Sequence, residues 1–216
     1  MRRTGAPRIF ENALRRCGFA HVAGVDEVGR GCLAGPVVSA AVILDPDRPI
    51  PGLADSKLVP PAERERLSAR IRAEAIAWAI GAVGPREIDR MNIRQASLES
   101  MRQAVMGLVP LPGFVLVDAF QIAGLPMAQH GIIKGDRRCA TIAAASIVAK
   151  VYRDGLMMAL HEADPRYGYD RHKGYGTPEH LAALGVHGYS DHHRRSFRPA
   201  SLFDTVITDA AASSGS

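Results

Sequence analysis

Acidic residues end three short apolar segments of this sequence, at Asp26 with Glu27, at Asp118 and at Asp136. Sites in α/β sheets assemble at strand ends, so these four carboxylates could converge. Converging carboxylates raise one another's pKa and cost stability unless cations neutralise them. Mg²⁺ and Mn²⁺ prefer oxygen ligands, and two such ions can position a water and stabilise the leaving oxygen of a phosphodiester. The four acids could therefore form a two-metal hydrolytic site.

A structural role competes with that interpretation for each acid taken singly. Aspartate after a strand is common as a turn former or helix cap, and Asp136 stands near a predicted helix start. Asp26 and Glu27 raise a further difficulty, because neighbours on a regular strand face opposite sides of the sheet. Both could serve one site only if the strand twists or bulges before Gly29. Spacing alone favours the structural role for each acid.

The acids need a sheet to carry them, and short apolar segments bounded by glycine and proline predict one. The predicted strands are His21–Val25, Pro36–Leu44, Ile76–Val83, Phe114–Val117 and Gly131–Ile133. The second is expected to return antiparallel to the first.

Helical patterns alternate with these strands. Pro61 can open a helix, and the helical pattern runs over Pro61–Ala79, where its end overlaps the third predicted strand. Further helices are predicted over Arg86–Met91, Ile93–Leu108 and Thr141–His161. Strands mixed with helices over one core predict the α/β class with a mixed sheet.

Composition bounds the size and setting of the protein. The chain has 216 residues, of which 47% are hydrophobic, enough to bury one sizeable core. Its net charge of +5 is compatible with a polyanionic partner, although many basic proteins bind no nucleic acid. Cys17, Cys32 and Cys139 show no metal-site spacing, which favours free thiols in a reducing cytosol.

No apolar run is long enough to span a bilayer, and the N-terminus has no secretory apolar region. We therefore expect a cytoplasmic protein with no membrane partner, and a monomer, since no assembly signal stands out. The first dozen residues and the small, polar tail after Thr208 are expected to be loosely ordered.

Six blocks of the sequence, in family order, resemble type 2 ribonuclease H (ribonuclease HII). Together they span about Val22 to Pro199, most of the chain. The blocks are Val25–Gly31, Asp55–Lys57, Val117–Asp118, Lys134–Asp136 with Ile142–Asp154, Lys173–Thr177 with His180, and His193–Phe197. One block would be suggestive, whereas six in order are specific.

The resemblance implies the ribonuclease H fold, a mixed five-stranded sheet flanked by helices, with a small C-terminal helical subdomain. On this basis residues 1–20 form an N-terminal extension, 21–162 the catalytic core, 163–208 the helical and loop subdomain, and 209–216 a disordered tail. The implied activity is hydrolysis of the RNA strand of RNA–DNA hybrids. It extends to incision 5′ to single ribonucleotides in duplex DNA, which leaves 3′-hydroxyl and 5′-phosphate ends.

The resemblance also assigns the acids, because Asp26, Glu27, Asp118 and Asp136 match the family's metal-binding catalytic residues. They are expected to hold two divalent ions, Mn²⁺ or Mg²⁺. Which acid bridges the two ions stays open.

Substrate contacts follow from the same blocks. Gly29-Arg30-Gly31 matches the family's ribose-reading turn, since glycines let backbone groups approach a sugar and the 2′-hydroxyl distinguishes RNA from DNA. Tyr175 matches a tyrosine that packs against a nucleotide sugar at the RNA–DNA junction; the alternative is a partly buried core tyrosine.

Lys57, Ser146 and Lys150 are candidate phosphate contacts, which would position the backbone without reading sequence. For Lys150 a solvated helix face is an equal alternative. Histidines crowd the C-terminal region, but no cysteine or spaced pair supports a zinc site. We interpret them as structural or backbone-contacting: His172, His180, His192 and His193.

Two rival interpretations remain. One is a related nuclease of the same fold, such as type 3 ribonuclease H or a junction resolvase. The glycine turn together with Tyr175 argues for type 2, and the residues before His21 leave no room for the extra platform domain expected of type 3. The other is a non-catalytic hybrid-binding module, which the presence of all four acids disfavours.

Overall fold

The sheet at the centre of the molecule has five strands in the order β3-β2-β1-β4-β5. The computed structural model describes residues 5–197 of the chain. The strands are β1 (Val22–Val28), β2 (Val37–Ile43), β3 (Ala77–Val83), β4 (Phe114–Asp118) and β5 (Ala128–Ile132). β2 lies antiparallel to both β1 and β3, whereas β4 lies parallel to both β1 and β5. The predicted α/β class with a mixed sheet is confirmed.

Helices cover both faces of this sheet and form the region after it. In chain order they are α1 (Ile9–Arg16), α2 (Pro61–Glu74), α3 (Pro85–Met91), α4 (Ile93–Met106), α5 (Gly135–Arg138), α6 (Ala140–Ala163), α7 (Tyr169–His172) and α8 (Pro178–His187). Single 3₁₀ turns lie at Ser56–Leu58 and Pro165–Tyr167. Within residues 5–197, none of the helices is both long and apolar enough to cross a membrane.

The two faces of the sheet bury two separate cores. Ala40 and Val42 of β2 pack with α2 and α6 on one face. Ala41 and Ile43, which alternate with them, pack with α4 on the other. The sequence of β2 is apolar on both faces for this reason, apart from the buried Ser39, since a strand covered on both sides has no solvent-facing position.

The overlap between helix and strand in the sequence pattern is resolved at Ala75. Its ψ of 150° is extended, so α2 ends at Glu74 and β3 begins at Ala77. The helical pattern over residues 75–79 was therefore wrong, and the strand prediction there was right to within one residue.

The expectation of a loosely ordered N-terminus is wrong from Ile9 onward, where α1 begins. Its Glu11 is fully buried, and Oε1 accepts hydrogen bonds from the Thr141 backbone N–H at 2.8 Å and from the Thr141 hydroxyl at 3.1 Å. Cys139, the residue before α6, provides no side-chain cap, so Glu11 satisfies a donor at that helix start. Residues 1–4 and the predicted disordered tail, 209–216, lie outside the described residues.

The region after α6 is attached to the core by two isolated β-bridges, Cys32 with Tyr175 and Ala34 with His193. Its own small core contains Tyr167 and Tyr169. The end of α6 at Ala163 is compatible with a subdomain beginning there, and the division of the chain into domains stays a prediction.

Gly24 decides how closely α6 approaches β1. A Cβ at this position would lie 2.3 Å from the Thr141 carbonyl carbon and 2.4 Å from the Ile142 nitrogen, both backbone atoms of α6. We therefore expect Gly24→Ala to lower the free energy of unfolding by about 3 kcal/mol, at the upper end of typical overpacking costs. Urea denaturation followed by circular dichroism measures this.

Gly155 is the matched control, because it lies on the exposed side of α6 and a Cβ there meets nothing within 4 Å. Gly155→Ala should raise the free energy of unfolding by roughly 0.5 to 1 kcal/mol through its effect on helix entropy. Equal effects of the two substitutions would contradict the close packing of α6 on β1.

Candidate active site

The carboxyl ends of β1 and β4 bring two of the predicted acids side by side. The last parallel pair joins Val25 to Val117, so Asp26 and Asp118 are the next residue on each strand. Ligand sites in open α/β sheets form in the crevice at this end of the strands. Convergence of the acids therefore follows from the parallel pairing of β1 with β4.

Asp136 reaches the same end of the sheet from the next strand along. It lies in α5, which begins three residues after β5 ends. The alternative role for Asp136, a helix cap, is not what the structure has: the cap position of α5 is Lys134, which is in the left-handed conformation with φ 55°. The side chain of Asp136 is thus left to face the cleft.

Asp26 and Glu27 both line this crevice, and of the two distortions that could bring them there, a twist or a bulge, β1 has no bulge. The β1–β2 register is continuous from Ala23 opposite Ile43 to Val28 opposite Val38. By strand alternation, Asp26 faces α6 and Glu27 faces the other side. β4 ends at Asp118, however, so no further residue of that strand separates Glu27 from the crevice.

A cleft of about 660 Å³ joins all the predicted site residues. Its lining includes Asp26, Glu27, Gly29, Arg30, Gly31, Lys57, Asp118, Asp136, Ser146, Lys150 and Tyr175. Three more residues line it that the sequence analysis did not single out: Val28, Asp55 and Ser56. The signal for Asp55 and Ser56 was present, since both belong to the block that contains Lys57.

Burial and neighbouring negative charges favour the protonated forms of Asp26 and Glu27. Burial raises the pKa of Asp26 well above its ordinary value, and the charges of Glu27 and Asp118 raise it further. Burial likewise raises the pKa of Glu27, against the opposing charge of Arg30, and Asp118 adds to the rise. These carboxylates are therefore held close together at an energetic cost.

The other two acids show the same shift. Burial raises the pKa of Asp118, although a hydrogen bond from the Gly135 backbone N–H to Oδ1 at 2.7 Å opposes this. The pKa of Asp136 is raised by burial and by the charges of Asp55 and Asp118. All four predicted catalytic acids thus favour a nearby positive charge.

Asp55 behaves in the opposite way. Burial would raise its pKa, but hydrogen bonds from the Lys57 backbone and from Arg137 hold the pKa below its ordinary value. The Arg137 Nη2 atom lies 3.0 Å from Asp55 Oδ2. Asp55 is therefore a charged, fully engaged anchor for the turn that carries Lys57, and its negative charge adds to the field at Asp136.

The donor chemistry of the cleft suits a hard divalent cation, since it offers carboxylate oxygens and no thiol or imidazole ligand. Glu27 Oε2 is buried and has no hydrogen-bond partner, while Oε1 lies 3.3 Å from Arg30 Nη1. Among residues 5–197 no group of three or more His, Cys, Asp and Glu side chains is already arranged to hold a metal ion. The residues fit such an ion, and the acids would reorient on binding it.

The predicted ribose-reading turn begins two residues after Glu27. Gly29 has a φ of 90°, a left-handed conformation that disfavours any side chain, and a Cβ there would lie 2.2 Å from Arg153 Nε. Gly31 is different, because a Cβ there would meet nothing within 4 Å. Gly29 is required by the fold, whereas Gly31 leaves open space in the cleft.

The Arg30 side chain points back to the protein. Its guanidinium lies 4.8 Å above the Phe120 ring and pairs with Glu27. Its side chain therefore pairs with a predicted metal-binding acid, while its backbone forms part of the turn. Phe120 was not singled out in the sequence analysis, and nothing in its local pattern distinguishes it from a core residue.

The three predicted phosphate contacts differ in how free they are. Lys57 is exposed. The Ser146 hydroxyl donates to the hydroxyl of Ser56 at 2.9 Å. Lys150 Nζ lies 2.7 Å from Asp154 Oδ1, so it would have to exchange that partner for a phosphate.

Tyr175 stands at the mouth of the cleft and is 38% exposed. Its ring centroid lies 6.0 Å from the guanidinium carbon of Arg153. The ring is partly buried and partly accessible from the cleft, and its role as a sugar contact stays a prediction.

A profile of the ribonuclease HII family matches residues 23–200. Ribonuclease HII of Bacillus cereus (strain ZK / E33L) is 52% identical over 190 residues, which cover 88% of this chain and 74% of that protein. The structure resembles ribonuclease H2 from Pyrococcus horikoshii OT3 with a TM-score of 0.72 and 24% identity, covering 87% of this chain and 99% of that one.

The structure also resembles Bst-RNase HIII in complex with Mn²⁺, with a TM-score of 0.63 and 18% identity over 87% of this chain and 70% of that one. At these identities the two structures establish the fold, and the profile and the Bacillus relative establish the type. Membership sets aside the type 3 enzyme, the junction resolvase and the hybrid-binding module. The chain belongs to the ribonuclease HII family and is a metal-dependent endonuclease that acts on RNA in RNA–DNA hybrids.

Proposed function

We propose that this protein also incises duplex DNA on the 5′ side of single embedded ribonucleotides and leaves 3′-hydroxyl and 5′-phosphate ends. The observation that carries the proposal is the shared cleft. Four acids, a glycine turn and an accessible tyrosine line one space of about 660 Å³. A sugar held at the turn would have its phosphodiester beside the acids.

The proposed catalytic residues are Asp26, Glu27, Asp118 and Asp136, which would hold two divalent ions, Mn²⁺ or Mg²⁺. Their raised pKa values and the unpartnered Glu27 Oε2 support this role, because a cation relieves both costs. The ions would supply activation of the attacking water and stabilisation of the leaving 3′-oxygen. Mn²⁺ accompanies the related Bst-RNase HIII structure.

The turn Gly29–Gly31 is proposed to test for the 2′-hydroxyl. A backbone amide or carbonyl can exchange a hydrogen bond with that hydroxyl, which DNA lacks. The space in front of Gly31 would admit the sugar edge. The left-handed Gly29 would hold the turn in one shape before substrate arrives.

Lys57, Ser146 and Lys150 are proposed to contact phosphates around the scissile bond. Lys57 is the strongest candidate because it is exposed at the cleft, and Lys150 the weakest because it is engaged by Asp154. Tyr175 is proposed to pack against the sugar on the DNA side of the junction. Its exposure at the cleft mouth supports this.

The setting of the enzyme is also proposed. The free thiols of Cys17, Cys32 and Cys139 suit a reducing cytoplasm. We retain the monomer as the working assembly, with RNA–DNA hybrid and ribonucleotide-containing duplex DNA as its partners.

The function is tested with a DNA duplex that contains one ribonucleotide, incubated with Mn²⁺ or Mg²⁺. We expect incision on its 5′ side and ends that a DNA polymerase can extend. Asp118→Asn should lower the cleavage rate on the order of a thousandfold, since several kcal/mol of transition-state stabilisation are lost. The proposal is overturned if, with either metal, the protein cleaves an RNA–DNA hybrid but leaves the duplex with the single ribonucleotide uncut.

Asp118→Asn keeps an oxygen that can accept from Gly135, so it removes charge with little change of shape. Its melting temperature without metal should equal or exceed that of the wild type, because a repelling charge is gone. Added Mn²⁺ should raise the wild-type melting temperature and leave that of the variant unchanged. An equal rise in both proteins would refute the assignment of Asp118 as a metal ligand.

Gly31→Ala tests the turn. A methyl group at this position meets no protein atom within 4 Å, so the melting temperature should stay unchanged. It would occupy the space proposed for the ribose, and we expect cleavage of a single ribonucleotide to fall about tenfold or more. Gly155→Ala is the matched control. Unchanged cleavage by a well-folded Gly31→Ala protein would remove the turn from the recognition site.

Tyr175→Ala tests the proposed sugar contact. We expect about a tenfold loss of rate at single ribonucleotides, where the sugar on the DNA side must be held at each cut. The loss on continuous RNA–DNA hybrid should be smaller, because neighbouring ribonucleotides offer other productive positions. Single-turnover rates on both substrates give the ratio of the rate at single ribonucleotides to the rate on continuous hybrid. If this ratio is the same in Tyr175→Ala and in the wild type, Tyr175 has a purely structural role.

A further inference from the structure

The loop that carries Tyr175 rests on three buried histidines. His172, His180 and His193 are all buried, with His180 fully excluded from solvent. Two of the rings stack: the centroids of His172 and His180 lie 4.4 Å apart with an interplanar angle of 13°. The proposed catalytic residues do not include them, and a hydrogen bond between their Nε2 atoms links His193 to His180.

The chain of hydrogen bonds begins at Ser190. Its backbone N–H donates to His193 Nδ1 at 3.0 Å, so that nitrogen carries no proton. A neutral His193 must then carry its proton on Nε2, which lies 3.0 Å from His180 Nε2 and 3.3 Å from the Tyr169 hydroxyl. His193 therefore donates toward His180.

The chain of hydrogen bonds ends at the carbonyl of Tyr175. His180 Nδ1 lies 2.9 Å from this oxygen, which can only accept, so Nδ1 carries the proton of His180. Its Nε2 is then free to accept the proton that His193 offers. One assignment of tautomers thus satisfies each contact from Ser190 to Tyr175.

Both imidazoles are neutral in this arrangement. Burial lowers the pKa of His193 to about 4, and the neighbouring His180 contributes to this. Burial is also the main cause of the lowered pKa of His180. The chain is consequently intact at neutral pH.

The third histidine, His172, stacks on His180 and binds Gly174, the residue before Tyr175. The Gly174 backbone N–H donates to His172 Nδ1 at 3.1 Å, and His172 Nε2 donates to the Tyr167 carbonyl at 2.7 Å. Lys173 and Gly174 have φ values of 50° and 84°. Two consecutive left-handed residues persist only where surrounding contacts determine the backbone.

We infer that His180 is a positioning residue for Tyr175. Its Nδ1 proton and the Thr177 backbone N–H, 2.9 Å from the same oxygen, hold the Tyr175 carbonyl, and the chain from His193 fixes the Nδ1 proton. The ring of Tyr175 is accessible in the cleft, so its place depends on the backbone that carries it. This inference rests on the proposed contact between Tyr175 and a nucleotide sugar.

Two substitutions of His180 separate the two ends of its ring. The amide nitrogen of asparagine can take the place of Nδ1, so His180→Asn keeps the donor to Tyr175 and loses the link to His193. Glutamine reaches the position of Nε2, so His180→Gln keeps the link to His193 and loses the donor to Tyr175. Both remove part of a buried ring, so both should lower the melting temperature by similar amounts.

We expect His180→Gln to slow single-ribonucleotide incision about tenfold, as Tyr175→Ala does, because one buried hydrogen bond to the loop is lost. His180→Asn should stay within about twofold of the wild type. In a Tyr175→Ala background, His180→Gln should have no further effect on the rate. The inference is overturned if the two His180 variants lose the same fraction of the incision rate. It is also overturned if His180→Gln slows incision as much in the Tyr175→Ala background as in the wild type.

Failure of the proposed function is distinguishable from failure of this inference. If Tyr175→Ala itself leaves the rate unchanged, the sugar contact is wrong, and the inference falls with it. If Tyr175→Ala is impaired while the two His180 variants behave alike, only the inference is wrong.

A measurement on the unsubstituted protein tests the inference even if the His180 variants do not fold. Long-range ¹H–¹⁵N correlation spectra of the histidines at neutral pH report which ring nitrogen is protonated. We expect the proton on Nδ1 of His180 and on Nε2 of His193. A proton on Nε2 of His180 would break the chain and overturn the inference.

Discussion

The cost of holding four carboxylates together at one end of the sheet is the constraint on which this structure depends. Two of them, Asp26 and Asp118, are neighbours because β1 and β4 run parallel. Their raised pKa values express the repulsion and burial that the rest of the fold must offset. The surrounding groups offset only part of it, through Arg30 at Glu27 and a backbone N–H at Asp118. A site that remains short of positive charge is suited to cations.

A second set of buried charges, of opposite sign, lies behind the glycine turn. Arg153 and Arg194 are fully buried. Both donate to backbone carbonyls: Arg194 to those of Gly29, Arg30 and Gly35, and Arg153 to those of Ala34, Pro36 and Lys173. Carbonyls compensate buried guanidinium groups and leave the carboxylates of the cleft unneutralised. The two arginines thereby fix the turn and join it to the loop of Tyr175.

The sequence was most informative where a residue's role is set by its own strand. The apolar runs predicted the places of all five strands, although β1 continues past the predicted Val25 to Val28 and β5 begins at Ala128, before the predicted Gly131. The family blocks contained every acid that lines the cleft, and only Asp55 among them was not singled out as a site residue. Tertiary pairing decided the rest. Glu27 reaches the cleft because a neighbouring strand ends early, which no local pattern records. Glu11 is buried through a contact with Thr141, 130 residues away, and the order of the histidine chain depends on Ser190 and the Tyr175 carbonyl.

The chain path would join the proposed recognition of the sugar to the chemistry. Glu27 and Gly29 are two residues apart, so a sugar held at the proposed turn would have little freedom relative to the acids. Arg30 pairs with Glu27 while its carbonyl accepts from Arg194, which ties the acid to the buried arginine through one residue. A sugar that fails to seat at the turn would therefore leave its phosphodiester out of reach of the acids. On the proposed role of the turn, discrimination against DNA would follow from position, since a backbone without a 2′-hydroxyl lacks the contact that brings it into register.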